Sequence, residues 1–157
     1  MKKLKILHIT DLHFRHSGRL FYSTGKKLNN GFILNGHNVL NISDRDLTSQ
    51  KKNIFDIGSK KFLTEKIIQN IENFKPDLLI LGHVDRLDYE SFISIKEKYN
   101  SIRFAQWFLD PLNINGPDFT KNKGRILHKT SMIDANFLTT SPDVLKFLPK
   151  NLENYFI

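Results

Sequence analysis

Polar side chains placed just beyond apolar runs carry the chemistry this chain could do, above all at Gly18, Arg19, His83, Asp85, Asp110 and Ser141. Gly18-Arg19 closes the loop Asp11–Arg19, where a glycine lets backbone approach a phosphate or sugar and an arginine adds a permanent cation. The same pair also reads as an ordinary turn glycine beside a solvated arginine. Asp110 follows Trp107-Phe108-Leu109 and directly precedes Pro111. It can orient a substrate hydroxyl or stabilise developing positive charge; its plainer role is an Asx turn. His83 and Asp85 come after Leu78–Leu81 and either face a substrate or simply end a strand. Ser141 precedes Pro142-Asp143 as a helix N-cap does, and it stands where it could also touch a ligand. His8, inside an apolar run, reads as a core histidine, whereas His37 and His128 offer no more than exposed polar positions.

Those residues need strands to deliver them. Leu4–Thr10 predicts a first buried strand, and a helix follows over 21–34 with Ser23 or Thr24 as its cap and Gly36 as its C′ residue. Asn38–Ser43 alternates as a second strand, completing a right-handed parallel βαβ unit. Asp44–Asp56 reads as an irregular connection anchored by Ile54 and Phe55, before a helix over Ser59–Asn73 that Lys75-Pro76-Asp77 ends. Leu78–Leu81 is continuously apolar, as a central parallel strand must be. A helix over Leu87–Tyr99 leads to a strand over Ile102–Phe108, which stops at Pro111 for want of an N–H. Asn113–Lys123 has surface-loop composition, Arg125–Met132 a short helix and Ala135–Thr140 a strand. Ser141-Pro142-Asp143 then opens a helix, and Tyr155–Ile157 begins one more strand. The fold class is therefore α/β: a single Rossmann-like domain with a mostly parallel sheet flanked by helices. Parallel strands put their carboxyl ends on one edge, so the polar ends should line a common crevice.

Composition narrows the options. A chain of 157 residues fits one domain with a real core, and no apolar run reaches the length of a membrane span. Met1-Lys2-Lys3-Leu4 starts like a signal peptide but lacks an apolar core and a cleavage site, so a cytoplasmic location is expected, peripheral to the inner face of the membrane at most. The absence of cysteine removes disulfides, thiolate metal sites and thiol nucleophiles together. The net charge of +8 suits a phosphorylated ligand, nucleic acid or peripheral contact with an anionic membrane, but the lysines are scattered as on a solvated surface. Without a recognition helix, finger spacing or stacking motif, nucleic acid is not an expected partner.

Thr10-Asp11-Leu12-His13 imitates the Asp-x-His that opens a metallophosphoesterase, and Pro76–Gly82 imitates the strand bearing its next ligand. Position 83 is histidine where that chemistry needs a bridging carboxylate, and no Gly-Asn-His or His-x-His follows. A degenerate relative of that class is the least favoured reading, and no metal site is assigned.

Leu7–Asp11 with Gly18-Arg19, Asn35-Gly36-His37-Asn38-Val39, Lys75–Leu78, Trp107–Pro111 and Phe137–Asp143 together give the chain a family likeness. It resembles the amino-terminal half of GT-B glycosyltransferases, close to family four and to the spore-maturation-protein type of bacterial cell-surface enzymes. The resemblance implies transfer of a sugar from a nucleotide-sugar donor to a glycan or lipid-linked acceptor, with no cofactor. In that architecture the amino-terminal domain chiefly binds acceptor and a second domain holds the nucleotide. By position Asp110 looks catalytic, Gly18 and Arg19 look like the loop approaching donor phosphates or acceptor, and His83, Asp85 and Ser141 look like substrate contacts. The nucleotide-sugar-binding second domain is absent from residues 1–157, so the resemblance implies a fragment or half enzyme, inactive without a second domain or partner chain. The alternative is a non-catalytic module that docks on a partner glycosyltransferase.

Overall fold

Six strands run parallel in one sheet of order β2-β1-β3-β4-β5-β6. In this computed structural model, residues 2–50, 57–141, 145–149 and 152–156 are described. The strands are β1 (Lys5–Ile9), β2 (Asn38–Ile42), β3 (Leu78–Leu81), β4 (Arg103–Phe108), β5 (Ala135–Leu138) and β6 (Glu153–Phe156). Between them lie α1 (Thr24–Leu34), α2 (Asp44–Ser49), α3 (Ile57–Phe74), α4 (Tyr89–Lys98) and α5 (Phe119–Thr130). The expected Rossmann-like α/β domain is what the chain forms. Among the described residues no helix is long and apolar enough to cross a membrane.

From β1 the chain steps one way along the sheet to β2, and from β3 onward it steps the other way. Crossovers of a single hand must then put α1 on one face and the later helices on the other. The packing agrees: Leu28 and Phe32 of α1 lie against Ile6, Ile80, Ala105 and Trp107. Leu63, Ile67 and Ile71 of α3 and Phe92 and Ile95 of α4 meet Leu7, Ile9, Leu79, Leu81 and Phe104 on the opposite face. Ile126 of α5 packs with Phe108 and Leu138. Because neighbouring residues of a strand point to opposite faces, this two-sided burial accounts for the unbroken apolar run of β3.

Several boundaries follow their local chemistry. Gly36, at φ 81°, ends α1 with its N–H on the Ile33 carbonyl and that of His37 on the Phe32 carbonyl, a Schellman cap. Lys75, at φ 51°, ends α3 before Pro76. Three expectations fail. Asp44–Ser49 is a helix rather than an irregular connection: Ser43 stands at its N-cap and, without capping a backbone N–H, donates its hydroxyl to Asp46, an acid in the first turn. Helix α5 begins at Phe119 rather than near 125, because tertiary contacts hold its first turns. Phe119 packs edge-on against Phe147 and Asn122 donates to the Pro111 carbonyl at 3.1 Å. The helix expected to open at Ser141 does not continue over residues 145–149, which make a turn with Leu148 N–H on the Leu145 carbonyl. Ile54, Phe55, Pro142, Asp143 and Ile157 lie outside the described residues.

Candidate functional site

The sheet order reverses between β1 and β3, and open α/β sheets bind ligands at the carboxyl side of such a switch point. A cleft of about 250 Å³ opens there. Thr10 and Asp11 from the end of β1, His83 from β3, and Trp107, Leu109 and Asp110 from β4 form one wall and the floor. Ser23, Thr24 and Gly25 at the start of α1, with His13 and Arg45, complete it.

The floor is tightly fitted. Trp107 donates its indole N–H to His8 Nε2 at 3.1 Å, so the proton of this buried imidazole belongs on Nδ1. Burial holds the His8 pKa down at about 4, and it stays neutral. A Cβ on Gly25 would come within 2.8 Å of Thr10 Cγ2, and one on Gly82 within 2.5 Å of the Trp107 ring. Gly82→Ala should therefore overpack the floor and cost about 1–3 kcal/mol. A thermal midpoint equal to that of the parent would show that the ring can move aside.

Charge on the rim is organised as a chain of pairs. Arg15 grips Asp11 with both terminal nitrogens at 2.8 Å and reaches Asp46 at 2.9 Å. Asp46 also accepts the backbone N–H groups of Phe14 (2.8 Å) and Arg15 (3.0 Å) and the Ser43 hydroxyl, so α2 fixes the β1–α1 loop. Burial pushes the Asp46 carboxyl up, but the Ser43, Arg15 and Phe14 hydrogen bonds outweigh it and leave a pKa of about 2. Burial likewise raises Asp11, yet Arg15 and the His13 backbone N–H bring it below the ordinary range. Arg45 joins Asp85 at 2.8 Å and approaches Asp11 at 3.8 Å. Arg125 then links Asp85 (3.1 Å) to Asp110 (3.5 Å).

At the cleft mouth Asp110 and His83 form a pair whose nearest atoms, Oδ2 and Nδ1, are 3.7 Å apart. His83 stacks on Phe108 with ring centroids 4.6 Å apart, which fixes the imidazole plane. Burial lowers its pKa, opposed by the Asp110 charge, so it is neutral at pH 7. The Asp110 side chain keeps 40% of its exposure and its carboxylate can accept a hydrogen bond from a hydroxyl entering the cleft. Opposite stands the start of α1, where Ser23 makes no side-chain cap and the first N–H groups favour negative charge. An acceptor carboxylate facing a helix N-terminus can hold a polyhydroxyl compound at one end and an anionic group at the other.

Of the six residues singled out from the sequence, Asp110 and His83 meet in the cleft. Asp85 lies beside it, joined through Arg45 and Arg125. Gly18, at φ 88°, and Arg19 sit exposed beyond the 3-10 turn Phe14–His16 and do not line the cleft. Ser141 follows Thr140, whose hydroxyl accepts the Leu112 N–H, and lies outside the cleft lining. Asp11 and His13, the apparent phosphoesterase pair, are 3.2 Å apart, with the Asp11 oxygens committed to Arg15. Sequence reasoning misses Arg15, Arg45 and the Asp44-to-Asp46 turn, although the end of β2, treated like the other strand ends, points to the last two. The chain matches no protein-family model, and no curated protein matches it.

Proposed function

We propose that this chain is the acceptor-side half of a GT-B glycosyltransferase, acting at the cytoplasmic face of a membrane on a glycan or lipid-linked acceptor. The observation that carries the reading is the Asp110–His83 pair at the mouth of the switch-point cleft, opposite the start of α1. In this reading Asp110 accepts a hydrogen bond from the acceptor hydroxyl and orients its oxygen toward the anomeric carbon of a nucleotide sugar. His83 flanks the carboxylate as a neutral imidazole 3.7 Å away, and the positive end of α1 lies toward the donor diphosphate. The nucleotide itself belongs to a second domain or partner chain.

Simple alkyl glycosides should shift the backbone amide NMR signals of Thr24, Gly25 and His83 saturably. Failure of every glycoside to move those signals would remove the acceptor-site reading. A non-catalytic docking module is the second reading, and one feature favours it. On the α1 side of the sheet Tyr155 is 47% exposed where it stacks on Phe137, and Phe156 on the edge strand is 66% exposed. Exposed aromatic surface of this kind commonly meets a partner.

A further inference from the structure

We propose that the recess between the β3–α4 turn and helix α5 is a second binding site, for a phosphate group, with Lys129 at its floor and Arg125 and His128 on its wall. The recess measures about 270 Å³ and is also lined by Val84, Asp85, Leu87 and Gly124. Lys129 is only 7% exposed, yet among the described residues it makes no ion pair and no hydrogen bond. Its Nζ is not among the polar atoms that are both fully enclosed and unpartnered, so it keeps some contact with water; an ammonium with little water and no direct counter-charge is costly. Asp85 from the β3–α4 turn and Asp44 from α2 attract it from a distance, while Arg125 on its own helix repels it. An anion seated in the recess supplies the missing partner.

The carboxylate of Asp85 would oppose an anion, but it is already paired with Arg45 at 2.8 Å and Arg125 at 3.1 Å. Arg125 gives one nitrogen to Asp85 and another to Asp110, which leaves N–H donors of its guanidinium uncommitted. His128 is exposed and packs against Tyr89 at 5.2 Å, so the aromatic ring limits where the imidazole can point. Gly124 supports the assignment. A glycine inside a helix weakens it, and a Cβ here would meet nothing within 4 Å, so packing does not require one. Its effect is to keep the recess open.

The test is a titration with inorganic phosphate at constant ionic strength, following the Gly124 and His128 amide signals, with glycerol 3-phosphate as a second ligand. Both signals should saturate. Lys129→Met, of similar shape without charge, should weaken binding at least about tenfold, the scale of one charged hydrogen bond. Gly124→Leu fills the recess and should abolish binding while the thermal midpoint holds or rises, which keeps the test valid if Lys129→Met folds poorly. Tighter binding of glycerol 3-phosphate assigns the site to an esterified phosphate, and tighter binding of the inorganic ion to free phosphate. A linear, unsaturated response, or saturation unchanged in Gly124→Leu, overturns the proposal.

Discussion

Asp44→Asn is expected to stabilise the protein above pH 6, by about 1–3 kcal/mol at pH 7, and to leave it unchanged near pH 4. Asp44 is wholly buried, and among the described residues neither carboxylate oxygen has a side-chain or backbone donor in hydrogen-bond geometry. Burial raises its pKa to about 6; the Arg45 backbone N–H opposes this, and the charges of Asp11 and Asp85 add to it. For an acid raised in the folded state, the protonated form is the one that suits the fold. Its contribution is fully present below the unfolded value near 4 and is lost as pH rises through about 6. Holding a carboxyl that far above its unfolded value disfavours the ionised form by about 3 kcal/mol, and an asparagine amide left short of partners keeps part of that from appearing. Asp46 works in a different window, because its pKa of about 2 makes its contribution present above the unfolded value and lost only in stronger acid. Urea midpoints of parent and variant between pH 4 and pH 8 check this. The gap should open as pH rises from 4 and level off above about 6, where both states are ionised; curves that remain parallel throughout would mean the carboxylate is ionised without cost.

A residue that destabilises its own fold at neutral pH invites a functional reason, and its position suggests one. Asp44 stands between Ser43, whose hydroxyl accepts the Leu12 N–H, and Arg45, which reaches Asp85 and Asp11 across the rim. Its charge adds to the field that draws guanidinium groups to this edge. The arrangement is hard to see in the sequence because the groups that meet are far apart along it. Arg45 and Asp85 are 40 residues apart, as are Asp85 and Arg125. What periodicity does reveal is which segments are buried. Leu78–Leu81 could only be a doubly covered strand, and the parallel sheet then brings His83 and Asp110 to one rim. The start of α5 is illegible for the opposite reason, since Asn113–Lys123 has the composition of a loop and is held by Phe147 and the Pro111 carbonyl. Gly18 shows the limit of reading a glycine by type. Its positive φ is real, but it serves a turn beyond the cleft, whereas Gly82 and Gly25 are the glycines that Thr10 and Trp107 require.

Asp110→Asn, in this chain joined to a competent nucleotide-binding domain, is expected to lower sugar-transfer turnover by about 10²–10⁴-fold, the range for loss of a positioned acid–base group. The variant keeps the shape of the side chain and can still accept one hydrogen bond from a hydroxyl. It loses the negative charge that strengthens that bond as the hydroxyl oxygen begins to attack. It also loses the ion pair with Arg125 at 3.5 Å and the approach to His83 at 3.7 Å, so a purely structural role must be separated from a chemical one. Asp110 is 40% exposed at its side chain, and exposed pairs of this kind contribute little to stability, so the midpoint of unfolding should hardly change. A positioning role through Arg125 makes a further distinction possible. Arg125→Lys retains the positive charge but loses the fork that joins Asp85 to Asp110, so it should raise the acceptor KM more than it lowers kcat. Asp110→Asn should do the reverse, because the interaction it removes grows toward the transition state. Equal turnover in parent and Asp110→Asn would take the carboxylate out of the reaction and leave the cleft as a binding surface alone.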